Sequence, residues 1–263
     1  MQQKFDIRVI SLAGQIDRRK NIEHLFAGSQ VTWSFMDAIV GKTPEAYGSL
    51  WQHYDRSRRL QLLGYEMRDN EIACFLSHRK VWKECIANGK PLLILEDDIK
   101  LHPEFSHIAK AMDMIPTLLE YLKDGFFIRI GNLGEQKHTV VKKIQNTHLI
   151  RCKKDPLGTC AYIVTPTVAQ KLLTHSEKFS APVDHYLWHG WVHGCHLLDM
   201  TPPIFFTDDG DTPSTIGTRK KPQIPAYKKI AREWHRAIQR HHESVYSKNL
   251  LNTLRTHFSD NIN

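Results

Sequence analysis

Three consecutive carboxylates, Glu96, Asp97 and Asp98, directly follow a short apolar run from Leu92 to Leu95. The turn signal at 88–91 (NGKP) precedes that run, which is typical of a central strand buried on both faces. The acids are then expected at the carboxyl end of the strand, where ligand crevices form in open α/β sheets. Adjacent carboxylates repel one another unless a positive charge lies between them. The pattern therefore predicts a cation site.

The spacing of the acids favours a small divalent ion. Alternate side chains of an extended backbone point the same way, so Glu96 and Asp98 are expected on one side and Asp97 on the other. Two carboxylates placed in this way suit Mg²⁺ or Mn²⁺, with substrate phosphates completing the coordination. The alternative is a solvated acidic turn, which is common for an isolated acidic triplet and less expected after an apolar strand.

The segments around the acids predict an α/β protein. The 263 residues, 41% of them hydrophobic, suit one large domain or a domain with an appendage. Residues 5–12 predict a first strand. Residues 71–86 predict an amphipathic helix, apolar on one face, that leads into the acidic strand. A further helical pattern covers 108–122, and a hairpin is predicted over 139–151. Other strands are predicted at 31–35, 126–130, 158–164 and 197–206, the last of them broken at Pro202 and Pro203. No GxGxxG or GxxxxGK[ST] pattern occurs, which removes the main support for dinucleotide oxidoreductases and P-loop NTPases.

Composition also bears on the cellular compartment. The five cysteines are odd in number and show no CxxC spacing, so neither a disulfide framework nor a structural zinc site is indicated. Reduced thiols packed as small apolar groups are expected. No apolar stretch is long enough to cross a bilayer, and the polar start lacks a secretory signal pattern, which favours a cytoplasmic protein.

The net charge of +8 is concentrated near the C-terminus. Residues 218–242 contain eight lysines and arginines against one acid, Glu233, so seven of the eight net charges lie there. Apolar residues three or four positions apart from Tyr227 to Val245 predict a basic amphipathic helix. Such a helix suits an anionic membrane surface. The alternatives are that its apolar stripe packs on the domain or forms a dimer contact.

Taken in order along residues 5–217, the motifs resemble glycosyltransferase family 25, the lipopolysaccharide and lipooligosaccharide sugar transferases of Gram-negative bacteria. The resemblance is carried by DRR at 17–19, DAIVGK at 37–42, CFLSH at 74–78, LLILEDDI at 92–99, GTCAYI at 158–163, PVD at 182–184 and STI at 214–216. It implies a GT-A type fold, a Rossmann-like mixed central sheet flanked by helices, over residues 1–217. Residues 218–263 would form a basic helical extension.

The resemblance also implies a reaction. The donor would be a UDP-sugar, most commonly UDP-galactose, and an inverting transfer to a lipid-linked oligosaccharide would give a β-linkage. Mn²⁺ or Mg²⁺ would neutralise the charge that grows on the departing nucleoside diphosphate. The enzyme would act in the cytoplasm, with peripheral contact to the anionic inner membrane, and nucleic acid is not expected as a partner.

Site residues are assigned on the same basis. Asp98, with Glu96 as a second contact, is the predicted metal ligand, because these acids stand where GT-A enzymes usually have DxD. The predicted contacts to the donor are Arg18 to diphosphate, Asp37 to uridine, His78 to phosphate or sugar, and Glu96 and Asp97.

An inverting transfer needs a general base to take the proton of the acceptor hydroxyl. Asp184 is the leading candidate and Asp209 the second, while a helix N-cap is the structural alternative for Asp184. Trp188 and Trp191 either stack on the acceptor sugar or belong to the core. Two other functions remain open at this stage, a metal-dependent phosphoester hydrolase that uses the three acids and a nucleic-acid-binding module led by the basic segment.

Overall fold

The computed structural model describes residues 3–41, 48–123, 125–131, 137–156, 158–207 and 226–258. In this part of the chain an eight-stranded mixed sheet runs in the order β2-β1-β3-β8-β5-β9-β7-β6, and β10 pairs with β4 in a separate ribbon. The strands are β1 Asp6–Ser11, β2 Ser34–Asp37, β3 Leu92–Glu96, β4 Ile99–Leu101, β5 Phe126–Arg129, β6 His138–Ile144, β7 Thr147–Cys152, β8 Ala161–Val164, β9 His196–Thr201 and β10 Phe205–Thr207.

Helices cover both faces of this sheet. They are α1 Ile16–Phe26, α2 Arg56–Leu63, α3 Asp69–Asn88, α4 Ile108–Met112, α5 Met114–Leu119, α6 Pro166–His175, α7 Val183–Trp188, α8 Gly190–His193 and α9 Ala226–His257, with a 3₁₀ helix at Gly48–His53. One hydrophobic cluster joins a sheet face to α1, α4, α5 and the end of α9, and a second joins the other face to α3, α6 and α7. The predicted mixed sheet flanked by helices is confirmed.

Strand β3 shows why its sequence is continuously apolar. Leu93 and Leu95 are buried in the first hydrophobic cluster, while Leu92 and Ile94 are buried in the second. A strand covered by helices on both faces has no solvent side, so it does not alternate polar and apolar residues. β3 pairs in parallel with β1 and antiparallel with β8, which places it in the interior of the sheet as predicted.

Two predicted elements are divided in the structure. The helix expected over 108–122 consists of α4 and α5, which meet at Asp113. The strand expected over 197–206, with its break at Pro202 and Pro203, is confirmed as β9 and β10, since the two prolines interrupt backbone pairing between them. β10 then pairs with β4, directly after the acidic triplet.

The C-terminal helix α9 packs on the body of the protein, where it contacts α2 and, at its end, the first hydrophobic cluster. Leu250, Leu254 and Phe258 belong to the first hydrophobic cluster, and the hydroxyl of Tyr246 donates to the carbonyl of Cys195 at 2.9 Å. The division at residues 217 and 218 lies outside the described residues and stays a prediction. The end of the predicted extension nevertheless packs in the hydrophobic cluster that covers one face of the sheet.

Candidate active site

A cavity of about 350 Å³ lies at the carboxyl ends of the paired strands β1 and β3. The sheet, α1, the 38–41 loop and α3 each supply part of its wall. Its lining comprises Ile10, Ser11, Leu12, Gln15, Arg18, Ala38, Ile39, Val40, Gly41, Asn70, Ala73, Cys74, Ser77, His78, Glu96, Asp97 and Asp98. Five of the predicted site residues, Arg18, His78, Glu96, Asp97 and Asp98, are thus brought together.

All three acids face this cavity, so the predicted alternation is wrong. β3 ends at Glu96, and Asp97 and Asp98 form a turn before β4, which releases their side chains from the two-residue period of a strand. Asp97 is held by two partners, since Ser11 Oγ donates to its Oδ2 at 2.7 Å and Arg18 Nη1 to its Oδ1 at 2.9 Å. Asp97 is therefore the acid of the three with its charge most fully compensated by the protein.

Asp98 is compensated least. Arg18 Nη1 lies 3.5 Å from Asp98 Oδ2, and the buried Oδ1 has no hydrogen-bond partner among the described residues. Burial, together with the negative charge of Glu96, raises the pKa of Asp98 to about 6. A buried carboxylate oxygen without a donor, beside a second carboxylate, is the donor set that a divalent cation would satisfy. The residues present fit the predicted metal.

Glu96 is held by a different set of residues from Asp97. Thr159 Oγ1 donates to Glu96 Oε1, and His78 Nε2 lies 3.4 Å from the same oxygen. Burial would raise the pKa of Glu96, but His78, Thr159 and Arg18 outweigh it and hold the pKa below its usual value. Glu96 and Asp98 thus differ in electrostatic state although they are two residues apart.

His78 is fully buried on α3 and reaches the cavity through its imidazole edge. Its Nδ1 lies 2.7 Å from the hydroxyl of Tyr162, which also accepts a hydrogen bond from Trp82 Nε1 at 2.9 Å. This arrangement fixes the ring and leaves Nε2 toward Glu96. His78 is therefore a buried, hydrogen-bonded histidine that also lines the cavity, and its predicted contact with phosphate or sugar stays a prediction.

The 38–41 loop closes the cavity above β1. The amide of Ala38 donates to the carbonyl of Ser11, and the amide of Ile39 donates to Ser77 Oγ on α3. Gly41 passes so close to α3 that a Cβ atom there would lie 2.7 Å from the Asp69 carbonyl oxygen. Only glycine fits this approach without a shift of the backbone.

Asp37 lies at the end of β2 but is not among the residues that line the cavity. Its side chain is 65% exposed and is paired with Arg19, whose guanidinium lowers the pKa of Asp37. The predicted contact with uridine stays a prediction. Arg19 also donates to the Ser11 carbonyl, so it connects Asp37 to the strand end that supports Asp97.

Asp184 lies in the first turn of α7, and the predicted N-cap alternative is wrong. The N-cap is Pro182, while Asp184 Oδ1 accepts a hydrogen bond from the adjacent His185 amide at 2.8 Å. Asp184 does not line the cavity, but after burial and Glu96 its charge contributes to raising the pKa of Cys74, which does. Asp209 lies outside the described residues.

The two tryptophans near Asp184 have separate roles. Trp188 is a core residue, since it is buried, donates from Nε1 to Glu243 at 2.9 Å and lies under the Arg151 guanidinium at 3.8 Å from the ring centroid. Trp191 is half-buried beside Tyr246. Stacking of Trp191 on an acceptor sugar remains untested.

Sequence reasoning missed four residues of the site: Ser11, Cys74, Thr159 and Tyr162. Ser11 ends β1, and Thr159 lies just before β8; both strands flank β3. Their position becomes visible only when the order of strands is known. Cys74 had a local signal, because it lies four residues before His78 on the same helix face.

The fold and the site together define an α/β protein with an acid-lined ligand cavity at the carboxyl ends of its strands. The profile of "Glycosyltransferase family 25 (LPS biosynthesis protein)" matches residues 4–187, which include every described lining residue. The chain belongs to glycosyltransferase family 25. Membership leaves the phosphoester hydrolase and the nucleic-acid-binding module without support.

Relatives agree with this assignment. The chain is 23% identical over 171 residues to "Lipooligosaccharide biosynthesis protein lic2B" of Haemophilus influenzae, which covers 64% of this chain and 62% of the relative. It is 24% identical over 191 residues to "Procollagen galactosyltransferase 1" of Danio rerio, covering 69% of this chain and 30% of the relative. The chain thus spans less than two thirds of the length of each of these relatives.

A solved structure, that of mannose-1-phosphate geranyltransferase from Thermus thermophilus, matches 75% of this chain and 73% of that chain at 9% identity and a TM-score of 0.33. This likeness is too low to support a conclusion. Among the described residues, no helix is both long and apolar enough to cross a membrane.

Proposed function

We propose that this glycosyltransferase transfers a hexose, galactose in the first instance, from a UDP-sugar to a lipid-linked oligosaccharide with inversion, giving a β-linkage. The supporting observation is the group of three carboxylates in one cavity with Arg18 and His78, where one buried carboxylate oxygen has no described hydrogen-bond partner. Two relatives bear on the substrates, one being a lipooligosaccharide biosynthesis protein and the other a procollagen galactosyltransferase. The proposal includes a GT-A type arrangement of the sheet.

In this proposal each residue of the cavity has a separate role in binding a nucleoside diphosphate. Asp98, with Glu96 beside it, would hold Mn²⁺ or Mg²⁺, and the bound ion would neutralise charge on the departing diphosphate. Arg18 lies 12% exposed between Asp97 and Asp98, so its remaining donors are placed to meet phosphate oxygens. Asp97, held by Ser11 and Arg18, orients Arg18 rather than binding the ion.

The acceptor would enter on the side of Cys74 and Asp184. Asp184 supplies the general base in this proposal, because its charge reaches the cavity wall at Cys74 while its side chain stays outside the acid cluster. A base separated from the metal site leaves room for the sugar between them, as attack opposite the leaving diphosphate requires.

A donor screen with a defined lipooligosaccharide acceptor tests the assignment. Mn²⁺-dependent binding of UDP-galactose, measured calorimetrically, is expected in the wild type and absent in Asp98→Asn. Asp17→Asn is the matched control, since Asp17 is an exposed acid on α1 beside Arg18 and does not line the cavity. Metal-dependent donor binding that survives in Asp98→Asn would place the ion elsewhere.

The base is tested separately. Asp184→Asn is expected to bind UDP-galactose and Mn²⁺ as the wild type does and to lose transfer to the acceptor. Substantial transfer by this variant would remove Asp184 and direct the search to Asp209. Linkage analysis of the wild-type product by NMR then tests inversion, because an α-linked product contradicts it.

Peripheral membrane contact is proposed for the outer face of α9. The body-facing side of the helix is marked by Glu243, Tyr246, Leu250, Leu254 and Phe258, three or four residues apart. The exposed apolar residues of the helix include Ile230, Trp234, Ile238 and Val245. At 100° per residue Trp234 lies roughly 180° from Glu243, so the apolar stripe points away from the body of the protein.

This geometry removes the alternative that the apolar stripe packs on the domain. Ile230 and Trp234 are 66% and 68% exposed, and the same helix carries the exposed cations Lys229, Arg236 and Arg240. An exposed apolar stripe on a basic helix complements an anionic lipid surface. The catalytic cavity would then be held near a lipid-linked acceptor.

Co-sedimentation of the full chain with vesicles of anionic and of zwitterionic lipid tests this contact. Ile230→Glu/Trp234→Glu is expected to reduce binding to anionic vesicles at least about tenfold. Val140→Glu, an exposed apolar residue on β6, is the control and should bind as the wild type does. Unchanged binding of the double variant, or its conversion from dimer to monomer by light scattering, would contradict a membrane role.

A further inference from the structure

We propose that Cys74, His78 and Glu96 form a site for a thiophilic divalent cation, Zn²⁺ foremost, that is distinct from the Mn²⁺ or Mg²⁺ position at Asp98. The three side chains offer one sulfur, one imidazole nitrogen and one carboxylate oxygen, and these ligand atoms all lie within 4.8 Å of one another. All three residues line the cavity. The site does not depend on which sugar donor the enzyme uses, but it shares Glu96 with the proposed donor site.

Local structure accounts for this convergence. Cys74 and His78 are four residues apart on α3, so their side chains lie on one face of the helix, one turn apart. Glu96 ends β3, which faces α3 across the second hydrophobic cluster. Two ligands from a rigid helix and one from the end of a central strand make a preformed site, because neither element has to rearrange to bring them together.

The surroundings of His78 point to a ligand. Its Nε2 is buried and has no hydrogen-bond partner among the described residues, and it lies 3.4 Å from Glu96 Oε1. The hydroxyl of Tyr162, 2.7 Å from His78 Nδ1, has a lone pair for an Nδ1–H donor in addition to the one that accepts from Trp82. With a metal bound, Nδ1–H would donate to this hydroxyl and the lone pair of Nε2 would face the ion, which is how a metal-binding histidine is oriented by the partner of its other nitrogen. Without metal, an N–H at Nε2 faces Glu96 and holds the pKa of that carboxyl down.

Glu96 is oriented in a comparable way. Thr159 Oγ1 donates to Oε1, so the carboxylate is held by a residue that lies just before β8. Ligating carboxylates are commonly held by such a second hydrogen bond. His78 and Glu96 thus each have a supporting partner outside the ligand set.

The ligand set selects the ion. A mixture of sulfur, nitrogen and oxygen favours Zn²⁺ and its spectroscopic substitute Co²⁺, whereas Mg²⁺ prefers oxygen alone. Three protein ligands would leave a fourth position on the ion for water or a small ligand. Because Glu96 would serve both ions, occupation by Zn²⁺ is expected to weaken Mn²⁺-dependent donor binding.

Co²⁺ titration of the full chain tests the site directly. The wild type is expected to develop a thiolate-to-cobalt charge-transfer absorption that saturates at one equivalent and disappears when Zn²⁺ is added. Cys74→Ser should abolish the absorption and lower Zn²⁺ affinity by at least about 100-fold, the upper range for loss of a supporting hydrogen bond alone. His78→Gln should weaken Co²⁺ binding similarly, with circular dichroism confirming that this buried substitution leaves the fold intact.

Two further variants separate this site from its surroundings. Cys160→Ser changes a buried thiol that lies outside the ligand set, and the absorption is expected to persist. Asp98→Asn is expected to keep the Co²⁺ absorption while losing Mn²⁺-dependent UDP-galactose binding, so the two proposals fail separately. An absent band in the wild type, or a band that survives in Cys74→Ser, would overturn the assignment.

Discussion

Two buried carboxylates in this sheet have opposite surroundings, Asp199 in the interior and Asp98 in the cavity. Asp199 lies directly opposite Arg129 on the adjacent strand, and Arg129 Nε donates to it at 2.7 Å, with both residues buried. Among the described residues, the cation nearest Asp98 is Arg18 at 3.5 Å, and that arginine is bound more closely to Asp97. Each acid has one buried oxygen without a hydrogen-bond partner among the described residues, but Asp199 has an arginine of its own at 2.7 Å, whereas Asp98 shares a more distant arginine with Asp97.

The pKa shifts at the two places differ in the same way. Burial lowers the pKa of Arg129, but Asp199 outweighs it and raises that pKa, so the guanidinium stays charged. At Asp98, burial and the neighbouring acids outweigh Arg18, and the pKa rises to about 6. A charge satisfied by the protein serves the fold, whereas a buried charge left short of a counter-ion is characteristic of a binding site. Substitutions at these residues test the contrast between Asp199 and Asp98.

The largest effect is expected from breaking the interior pair. Arg129→Met leaves Asp199 buried without its counter-ion, which is expected to lower the free energy of unfolding by about 3–5 kcal/mol. Urea denaturation monitored by circular dichroism measures this loss. A loss below about 1 kcal/mol would mean that the pair contributes as little as a surface salt bridge, and the contrast would fail.

Asp98→Asn is expected to have the opposite profile. Sugar transfer should fall by at least about 100-fold, comparable to removing one group that stabilises transition-state charge. The free energy of unfolding should stay the same or increase, because an isosteric amide removes a buried negative charge that the folded state compensates poorly. Kinetics and urea denaturation on the same preparation check both results, and a loss of stability like that of Arg129→Met would contradict the distinction.

A buried histidine extends the comparison to pH. His193 lies within hydrogen-bond distance of the Tyr186 carbonyl through Nε2 and accepts the Cys195 amide through Nδ1, so its neutral form is satisfied. Burial lowers its pKa to about 3 from an ordinary 6.5. The unfolded chain therefore binds this proton first as the pH falls below 6.5, and folding stability is lost progressively down to about pH 3.

From pH 6.5 to pH 5 this histidine is expected to cost up to about 2 kcal/mol of stability. The measurement is the free energy of unfolding across this range in the wild type and in His193→Gln. The variant should show a smaller decrease over the same interval, although its stability at pH 7 is lower. Parallel pH profiles would show that His193 does not contribute.

The smallest effect is expected at Ser11. Ser11→Ala removes the hydrogen bond to Asp97 and is expected to lower the free energy of unfolding by about 1.5 kcal/mol, as for a hydrogen bond to a charged group. Such a loss would group Asp97 with Asp199, as an acid whose charge is compensated by groups of the protein. Loss of metal affinity without loss of stability would instead place it with Asp98.

Local sequence was sufficient where a feature depends on neighbours along the chain. The apolar run of β3, the turn before it and the acids after it form a strand with carboxylates at its end, as predicted. The prediction of alternating acids was wrong because a turn begins at Asp97, and nothing in three adjacent carboxylates shows where an extended backbone stops. The prediction that Asp184 is an N-cap was wrong for a similar reason. Helix α7 begins at Val183 and its N-cap is Pro182, so Asp184 already lies inside the helix.

Contacts between residues on different strands and helices could not be predicted from the sequence. Ser11 contacts Asp97 across 86 positions, and His78 meets Tyr162 across 84. Long-range contacts of this kind depend on strand order, and the order β2-β1-β3-β8 interleaves strands that are far apart in the chain. Periodicity indicates that a residue is buried but does not identify the residue it meets.

The sequence alone determined that this chain has a buried strand with acids at its end, a basic amphipathic helix and the ordered motifs of glycosyltransferase family 25. Each of these follows from residues that are close along the chain, or from motif order. Only the tertiary structure decided that Arg18 neutralises Asp97 more than Asp98, that Cys74 and His78 converge on Glu96, and that α9 turns its apolar stripe outward. Those outcomes depend on which surfaces compete for burial and which charges find partners, and that competition is settled when the elements pack together.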